Sequence, residues 1–206
     1  DVDVFKPLQK NQREPYTLMV TASADVPLKG LDYLLRAVAE LQGEFPELKL
    51  LVLGKLKEDG KTAKLIDQLH IRNLITFHSG LSPDEITALY ARAACAVVPS
   101  IYEGFGLPAG EAMACGVPVI ATDGGALPEV VGNCGFIVPT RDHLAIADAI
   151  RQLLNDPTRS EDLGARGRDR ILKQFSWAVA AEQMSSLYRM IIQEHKETQP
   201  DVAANH

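Results

Sequence analysis

The sequence contains 206 residues, of which 46% are hydrophobic and 23% are charged, as in an ordinary globular domain. Its formal net charge of −6 at pH 7 argues against a nucleic-acid-binding protein, whose surface would be basic. No apolar run approaches the roughly 18 residues that a membrane-spanning helix requires. The length therefore suits one α/β domain with a sizeable core.

The chain begins with residues 1–15, which have neither helical nor strand periodicity. A first strand is predicted at Tyr16–Thr21. After it comes a helix whose apolar positions recur at helical spacing, at Leu31, Leu34, Leu35, Val38 and Leu41. Lys29 stands at the start of this helix, where a cation opposes the helix dipole. We therefore interpret its charge as functional, with a solvated surface lysine as the alternative.

The next two strands are predicted at Leu48–Leu53 and Leu74–Phe77, separated by a helix that ends near Leu69. His78 ends the third strand and is expected to be a hydrogen-bonded structural residue. Ser82-Pro-Asp-Glu85 has the pattern of a capping box with proline at the first helical position. A helix is therefore predicted to begin there.

Two apolar runs, Ala94–Val98 and Val117–Ala121, are predicted to be strands buried on both faces. A glycine-containing loop and a short helix, Leu107–Cys115, connect them. Glu103 lies in the loop, and Glu111 lies one turn into the helix. The connection thus places two carboxylates around the start of one helix.

The start of this helix suggests a site for a phosphate and a sugar, because the helix dipole favours an anion there. Backbone N–H groups are expected to be free near Gly106, Leu107, Ala109 and Gly110. Gly104 has no side chain, so a ligand can approach the backbone closely. Glu111 can accept both hydroxyls of a ribose, and Glu103 can reach a sugar beyond the phosphates. The pattern predicts binding of a nucleoside diphosphate sugar.

A second glycine turn, Asp123-Gly124-Gly125, follows the strand that ends at Ala121. This turn could contact a ligand or could be a plain strand-to-helix turn. The remaining elements are predicted to be a strand at Gly135–Val138, helices at residues 144–154, at residues 160–174 and from Trp177 onwards, and a disordered tail at residues 196–206.

The three cysteines, Cys95, Cys115 and Cys134, lie in or beside apolar runs, and their spacing matches no metal-binding pattern. We expect them to be small core residues. Unpaired core cysteines are typical of a reducing compartment, which favours a cytoplasmic location.

Six predicted strands that alternate with helices indicate an α/β fold, a Rossmann-like, doubly wound parallel sheet of about six strands flanked by helices. Ligands of such sheets bind at the carboxyl ends of the strands. Lys29, Gly80, Glu103 and Gly124 all follow predicted strands. We therefore expect these residues to meet at one site.

The stretch Glu103-Gly-Phe-Gly-Leu-Pro-Ala-Gly-Glu111, followed by Ala-Met-Ala-Cys-Gly-Val-Pro-Val-Ile-Ala-Thr, resembles the E-x7-E motif of retaining glycosyltransferases of the GT-B fold, specifically family 4. The resemblance implies the C-terminal half of a GT-B fold. Such a domain binds a UDP-sugar or GDP-sugar, from which a hexosyl group is transferred to an acceptor. It also implies that no metal or other cofactor is needed.

The resemblance assigns roles to individual residues. Glu111 would hold the ribose and Lys29 the diphosphate, while Glu103 would hold the transferred sugar. Glu103 and Lys29 are thus the candidate catalytic residues. The candidate donor-binding residues are Lys29, Gly80, Leu81, Ser82, Gly104, Phe105, Gly106, Leu107 and Glu111, of which Gly80 to Ser82 would lie against the nucleobase.

The resemblance also divides the chain into domains. Residues 1–15 resemble the linker from the N-terminal half, and residues 16–195 would form the donor-binding domain. The partner would be the missing N-terminal acceptor domain of the same chain, to which the last helix crosses back, and membrane contact at the inner face stays open for the full-length protein. At Ala24 the chain departs from the family, which usually carries an arginine there for the phosphates.

Two other functions are compatible with these residues. A non-catalytic nucleotide-sugar-binding module would have the same donor site, since the sequence offers no acceptor site or general base. A glycoside hydrolase could use Glu103 and Glu111 as an acid/base pair. The hydrolase hypothesis leaves the anion-binding features at the start of the helix unexplained.

Overall fold

The computed structural model describes residues 1–8 and 13–198. Its centre is a six-stranded sheet in which all paired strands are parallel, in the order β3-β2-β1-β4-β5-β6. The strands are β1 (Thr17–Thr21), β2 (Lys49–Leu53), β3 (Ile75–His78), β4 (Cys95–Val98), β5 (Val119–Thr122) and β6 (Phe136–Val138). The predicted doubly wound fold is confirmed, and each predicted strand boundary lies within two residues of the observed one.

The described ranges contain eight α-helices. They are α1 (Leu31–Leu41), α2 (Lys61–Gln68), α3 (Pro83–Arg92), α4 (Leu107–Ala114), α5 (Leu127–Val131), α6 (His143–Asn155), α7 (Pro157–Gln174) and α8 (Trp177–Thr198). For helix α5 no bounds were predicted, because five residues are too few to show a helical period. Helix α7 starts three residues before the predicted Ser160, since Asp156 caps it by accepting a hydrogen bond from Arg159 N at 2.9 Å.

Both faces of the sheet are buried, as predicted for central parallel strands. Leu18 and Val20 of β1 point into one apolar cluster, whereas Met19 points into the other. Helices α1 and α6 cover the first cluster, and α3, α4 and α5 cover the second. Burial raises the pKa of Cys95 and of Cys115 to about 12, so both thiols stay protonated within the core.

The order of the strands creates a crevice at the carboxyl edge of the sheet. Strands β1 and β4 are neighbours, but the chain continues from β1 towards β2 and from β4 towards β5. The loops after β1 and β4 therefore diverge. In sheets of this type, ligands bind at that topological switch point.

Two arginines hold the carboxyl end of α4. Arg13 donates a hydrogen bond to the carbonyl oxygen of Gly116, just after α4, and Arg168 donates one to that of Ala114. Arg13 also donates to Ala93 O, at the end of α3, at 3.0 Å. Cations bonded to the last carbonyls of a helix complement its dipole. This anchoring fixes the helix whose opposite end faces the crevice.

The N-terminal segment packs against the domain. Phe5 makes an edge-to-face contact with Tyr90, with the ring centroids 6.3 Å apart, and Val4 O accepts a hydrogen bond from Thr87 Oγ1 at 3.4 Å. At the other end, α8 continues to Thr198, into the stretch predicted to be disordered. Residues 199–206 lie outside the described residues. Within residues 1–8 and 13–198, none of the helices is both long and apolar enough to cross a membrane.

Candidate functional site

The structure brings Lys29 and Glu103 together at the crevice. Lys29 Nζ lies 2.6 Å from Glu103 Oε1, a charge-assisted hydrogen bond between residues that are 74 positions apart in the chain. The Lys29 side chain is 34% exposed and that of Glu103 is 11% exposed. Their convergence at one edge was predicted, but their direct pairing was not.

Close backbone contacts position Lys29. It ends a short 3₁₀ turn, Pro27–Lys29, and is followed by Gly30 with φ of 61°. A Cβ atom on Gly30 would lie 1.9 Å from Pro99 O, so only glycine allows the chain to cross the end of β4 here. Ile101 N also donates a hydrogen bond to Leu28 O at 2.9 Å. The loops after β1 and β4 are thereby tied together.

The second glycine turn supports Glu103 from the other side. Ala126 N donates to Glu103 O at 2.9 Å, and a Cβ atom on Gly125 would lie 2.2 Å from the same oxygen. Asp123 Oδ1 accepts a hydrogen bond from Thr140 N at 2.8 Å, so this oxygen already has a partner within the chain. Gly125 thus serves to bring the loop after β5 against the backbone of Glu103.

The hydrogen bonding of the N–H groups at the start of α4 differs in part from the prediction. Ala109 N and Gly110 N donate to Gly106 O at 3.0 and 3.1 Å, so the expectation that they are free was wrong. A helix N-cap carbonyl accepts such bonds from the first turn. At the start of α4, no acceptor among the described residues is found for the N–H groups of Phe105, Gly106 and Leu107.

Gly104 and Gly106 are glycines for different reasons. Gly106 has φ of 84°, and a Cβ atom there would lie 2.8 Å from Leu127 Cδ2, so the fold itself requires glycine. At Gly104 the backbone is not left-handed, and no described atom outside its chain neighbours lies within 4 Å of where a Cβ would be. The fold does not require glycine at position 104, which suits a surface that a ligand approaches.

Glu111 is half-buried on α4, and this burial raises the pKa of its carboxyl group. The hydroxyl of Tyr90 opposes that shift by favouring the charged form. Tyr90 is itself buried, and its hydroxyl donates to Pro108 O at 3.3 Å. Beside Glu111 lies a cavity of about 70 Å³ that is lined in part by Val2, Phe5, Phe105 and Phe175.

The turn after β3 contains the residues predicted to hold the base. Gly80 has φ of 71° with open space around a Cβ, and Leu81 packs on the second cluster. Ser82 caps α3: its Oγ donates to Glu85 Oε2 at 2.8 Å and accepts from Glu85 N, which confirms the capping box. His78 Nε2 is buried and lacks a partner in the described ranges, so the expectation of a fully hydrogen-bonded histidine was wrong.

Ala24 is 6% exposed and lies in the core. The next residue, Asp25, has φ of 60°, and its Oδ1 accepts hydrogen bonds from Thr62 N and Oγ1 at 2.9 and 3.0 Å. These bonds hold the loop after β1 against the start of α2, and they lower the pKa of Asp25. Position 24 therefore supplies packing but no charge to the crevice.

Lys29, Glu103 and the start of α4 thus lie together at the carboxyl edge of a Rossmann-like sheet. The family described as "Glycosyl transferases group 1" matches residues 3–170, and this chain belongs to that family. Among the described residues, no group of three or more His, Cys, Asp or Glu side chains is placed to hold a metal ion.

Individual proteins are similar over most of the chain. The MMP alpha-(1->4)-mannosyltransferase of Mycolicibacterium hassiacum is 42% identical over 195 residues, which are 93% of this chain and 47% of that protein. The chain thus spans about half the length of this relative.

Solved structures share the fold. Sucrose-phosphate synthase from Thermosynechococcus elongatus has a TM-score of 0.81 at 31% identity and matches over 94% of this chain and 51% of its own. The C-terminal domain of a glycosyl transferase group 1 family protein from Francisella tularensis has a TM-score of 0.76 at 25% identity, over 86% of this chain and 98% of its own. The architecture is that of the GT-B glycosyltransferases.

Replacing Glu111 with Gln should raise the free energy of unfolding at pH 7. The pKa of Glu111 is higher in the native state than in the unfolded chain, so the ionised carboxylate destabilises the native state above both pKa values. As the pH falls through the native pKa, that cost is lost, and the difference between the two proteins should shrink. Urea unfolding between pH 7 and pH 5 measures this.

Glu40→Gln is the matched control for Glu111→Gln, because Glu40 is an exposed carboxylate on α1. This control should leave the pH dependence of stability unchanged. A Glu111→Gln variant that is less stable than the parent at pH 7 would contradict the assignment of a destabilising buried charge.

Replacing Gly104 with Ala should leave stability within about 1 kcal/mol, because the position is unstrained and open. Binding of a nucleoside diphosphate sugar should weaken at least about tenfold, or roughly 1.4 kcal/mol, if the ligand contacts this backbone. Gly43→Ala is the matched control, since Gly43 is equally open but lies between α1 and β2 at the opposite edge. Equal affinities for both variants in calorimetric titration would remove Gly104 from the site.

Proposed function

We propose that this chain is the donor-binding half of a retaining family 4 glycosyltransferase, which transfers a hexosyl group from a nucleoside diphosphate sugar to an acceptor. The observation that carries the proposal is the contact between Lys29 and Glu103 beside the unbonded N–H groups of residues 105–107. A cation, a carboxylate and backbone donors are the groups that a diphosphate and a sugar require.

In this proposal the donor lies across the carboxyl edge of the sheet. Lys29 and the N–H groups at the start of α4 hold the diphosphate. Glu103 accepts hydrogen bonds from the hydroxyls of the transferred sugar, and Glu111 accepts them from the ribose. The nucleobase lies against the turn at residues 80–82. Ser82 shapes this turn, because its hydroxyl and its backbone N–H both donate to Glu85 Oε2 in the capping box.

Binding of the donor exchanges the partner of Lys29. Without donor, its ammonium group is bonded to Glu103, and the incoming phosphate competes for it. Once the ammonium turns to the phosphate, Glu103 is available to the sugar. As the nucleoside diphosphate departs, negative charge grows on the phosphate, and an already oriented ammonium with fixed N–H dipoles stabilises that charge. Glu103 is assigned a positioning role on the sugar.

The proposed partner is an N-terminal acceptor domain that precedes residues 1–15. Because the chain spans about half the length of its relative, that domain would supply the acceptor site. Helix α8 presents exposed apolar side chains for contact with it, including Trp177 at 77%, Tyr188 at 58% and Ile192 at 56% exposure. We propose a cytoplasmic enzyme, with the present chain binding donor but inactive in transfer by itself.

The alternative of a glycoside hydrolase, with Glu103 and Glu111 as its acid/base pair, is disfavoured by the surroundings of Glu103. Its Oε1 accepts hydrogen bonds from an ammonium and from a hydroxyl. An acid/base pair gives no role to that ammonium group or to the unpaired N–H groups at the start of α4. A binding module without catalysis has the same donor site, and transfer assays with the complete protein separate it from an enzyme.

Calorimetric titration of the chain with UDP, GDP and ADP and with their glucose and mannose conjugates tests the proposal. One nucleotide should bind with micromolar affinity, and one of its sugar conjugates should bind more tightly. Mannose conjugates are included because the Mycolicibacterium hassiacum relative is a mannosyltransferase. Absence of binding by all of these ligands would contradict a donor site.

The Glu103→Gln variant distinguishes the contribution of the sugar to the binding affinity from that of the diphosphate in the same titration. The variant should bind the nucleoside diphosphate at least as tightly as the parent, because Lys29 no longer pairs with a carboxylate. The gain in affinity that the sugar provides should fall about tenfold, as expected when charge-assisted hydrogen bonds are lost. Glu40→Gln serves again as control. Equal weakening of both ligands by Glu103→Gln would contradict the division of roles.

A further inference from the structure

Glu103 has a second partner besides Lys29. Ser100 Oγ donates a hydrogen bond to Glu103 Oε1 at 2.9 Å, the same oxygen that Lys29 Nζ approaches at 2.6 Å. One carboxylate oxygen therefore accepts two donors. In the described ranges no hydrogen bond reaches the other oxygen, Oε2.

The two donors differ in their freedom to move. Lys29 is 34% exposed on its side chain and reaches Glu103 through a flexible four-carbon stem. Ser100 is only 2% exposed. An anion in the crevice can therefore draw away the ammonium group but not the hydroxyl.

Ser100 is itself held in place by the neighbouring strand. Its carbonyl oxygen accepts a hydrogen bond from the buried hydroxyl of Thr122, the last residue of β5. A Cβ atom on Gly124 would lie 2.7 Å from that same carbonyl oxygen, so the next loop packs directly on it. The Ser100 hydroxyl is thus a donor fixed to the sheet.

We propose that Ser100 is a positioning residue that keeps the Glu103 carboxylate directed at the sugar when the donor diphosphate takes Lys29. This inference rests on the proposed function. The hydrogen bond from Ser100 holds Oε1 of Glu103 in place, so that Oε2 of Glu103 faces the sugar hydroxyls. Ser100 does not touch the donor itself, and its effect is confined to the affinity that the sugar adds.

Titration of Ser100→Ala with the nucleotides and sugar conjugates named above tests this role. The affinity for the nucleoside diphosphate should stay within about twofold, whereas the gain from the sugar should fall about tenfold. Ser100→Cys, with a weaker donor of similar shape, should give an intermediate loss. A purely structural serine would weaken both ligands equally, and that result would overturn the proposal.

Ser176→Ala is the matched control, because Ser176 is also buried and its Oγ accepts a hydrogen bond from Val179 N at 3.3 Å at the start of α8. This variant should lose some stability but none of the gain from the sugar. A loss of that gain equal to the loss in Ser100→Ala would overturn the specific role of Ser100.

Crystal structures without any ligand provide a test that does not depend on the proposed function. Lys29→Ala imitates the departure of the ammonium group, and the Glu103 carboxylate should keep its place on Ser100. In the double variant Lys29→Ala/Ser100→Ala it should leave that place. A carboxylate that already moves in Lys29→Ala would overturn the inference, whereas failure of the parent chain to bind any nucleotide would count against the proposed function alone.

Discussion

The contact between Lys29 and Glu103 is the interaction on which the site depends, and it requires three loops to meet. Gly30 lets the loop after β1 pass the end of β4, and Gly125 lets the loop after β5 reach the backbone of Glu103. Parallel strands deliver all three loops to one edge, because every connecting helix returns the chain to the opposite edge. The order of the strands then separates the loops after β1 and β4 at the point where a ligand can enter.

The site retains features that do not stabilise the isolated fold. Three consecutive N–H groups lack acceptors at residues 105–107 in the described part of the chain, and the ionised form of Glu111 is disfavoured by burial. Two other helix ends are paired within the chain: Arg13 and Arg168 bond the carbonyls at the end of α4, and Asp25 accepts a hydrogen bond from Thr62 N in the first turn of α2. Unpaired N–H donors and a carboxylate disfavoured by burial are typical of a surface shaped for a ligand.

Much of this arrangement could be predicted from the sequence. The apolar runs and helical spacings gave the strands and long helices, and strand ends placed Lys29 and Glu103 at one edge. Side-chain pairing could not be predicted, because spacing does not show that the Lys29 stem reaches Glu103 or that Ser100 shares its oxygen. The support given by Gly125 depends on a contact between distant loops. The unpartnered His78 depends on its buried surroundings, which a strand end does not reveal.

A crystal structure of the chain with its tightest-binding nucleoside diphosphate sugar tests the central claim most directly. We predict that Lys29 Nζ leaves Glu103 for a phosphate oxygen, that Glu103 stays on Ser100 and bonds a sugar hydroxyl, and that Glu111 bonds the ribose. A donor bound elsewhere on the domain, or a donor in the crevice with Lys29 still paired to Glu103, would contradict it.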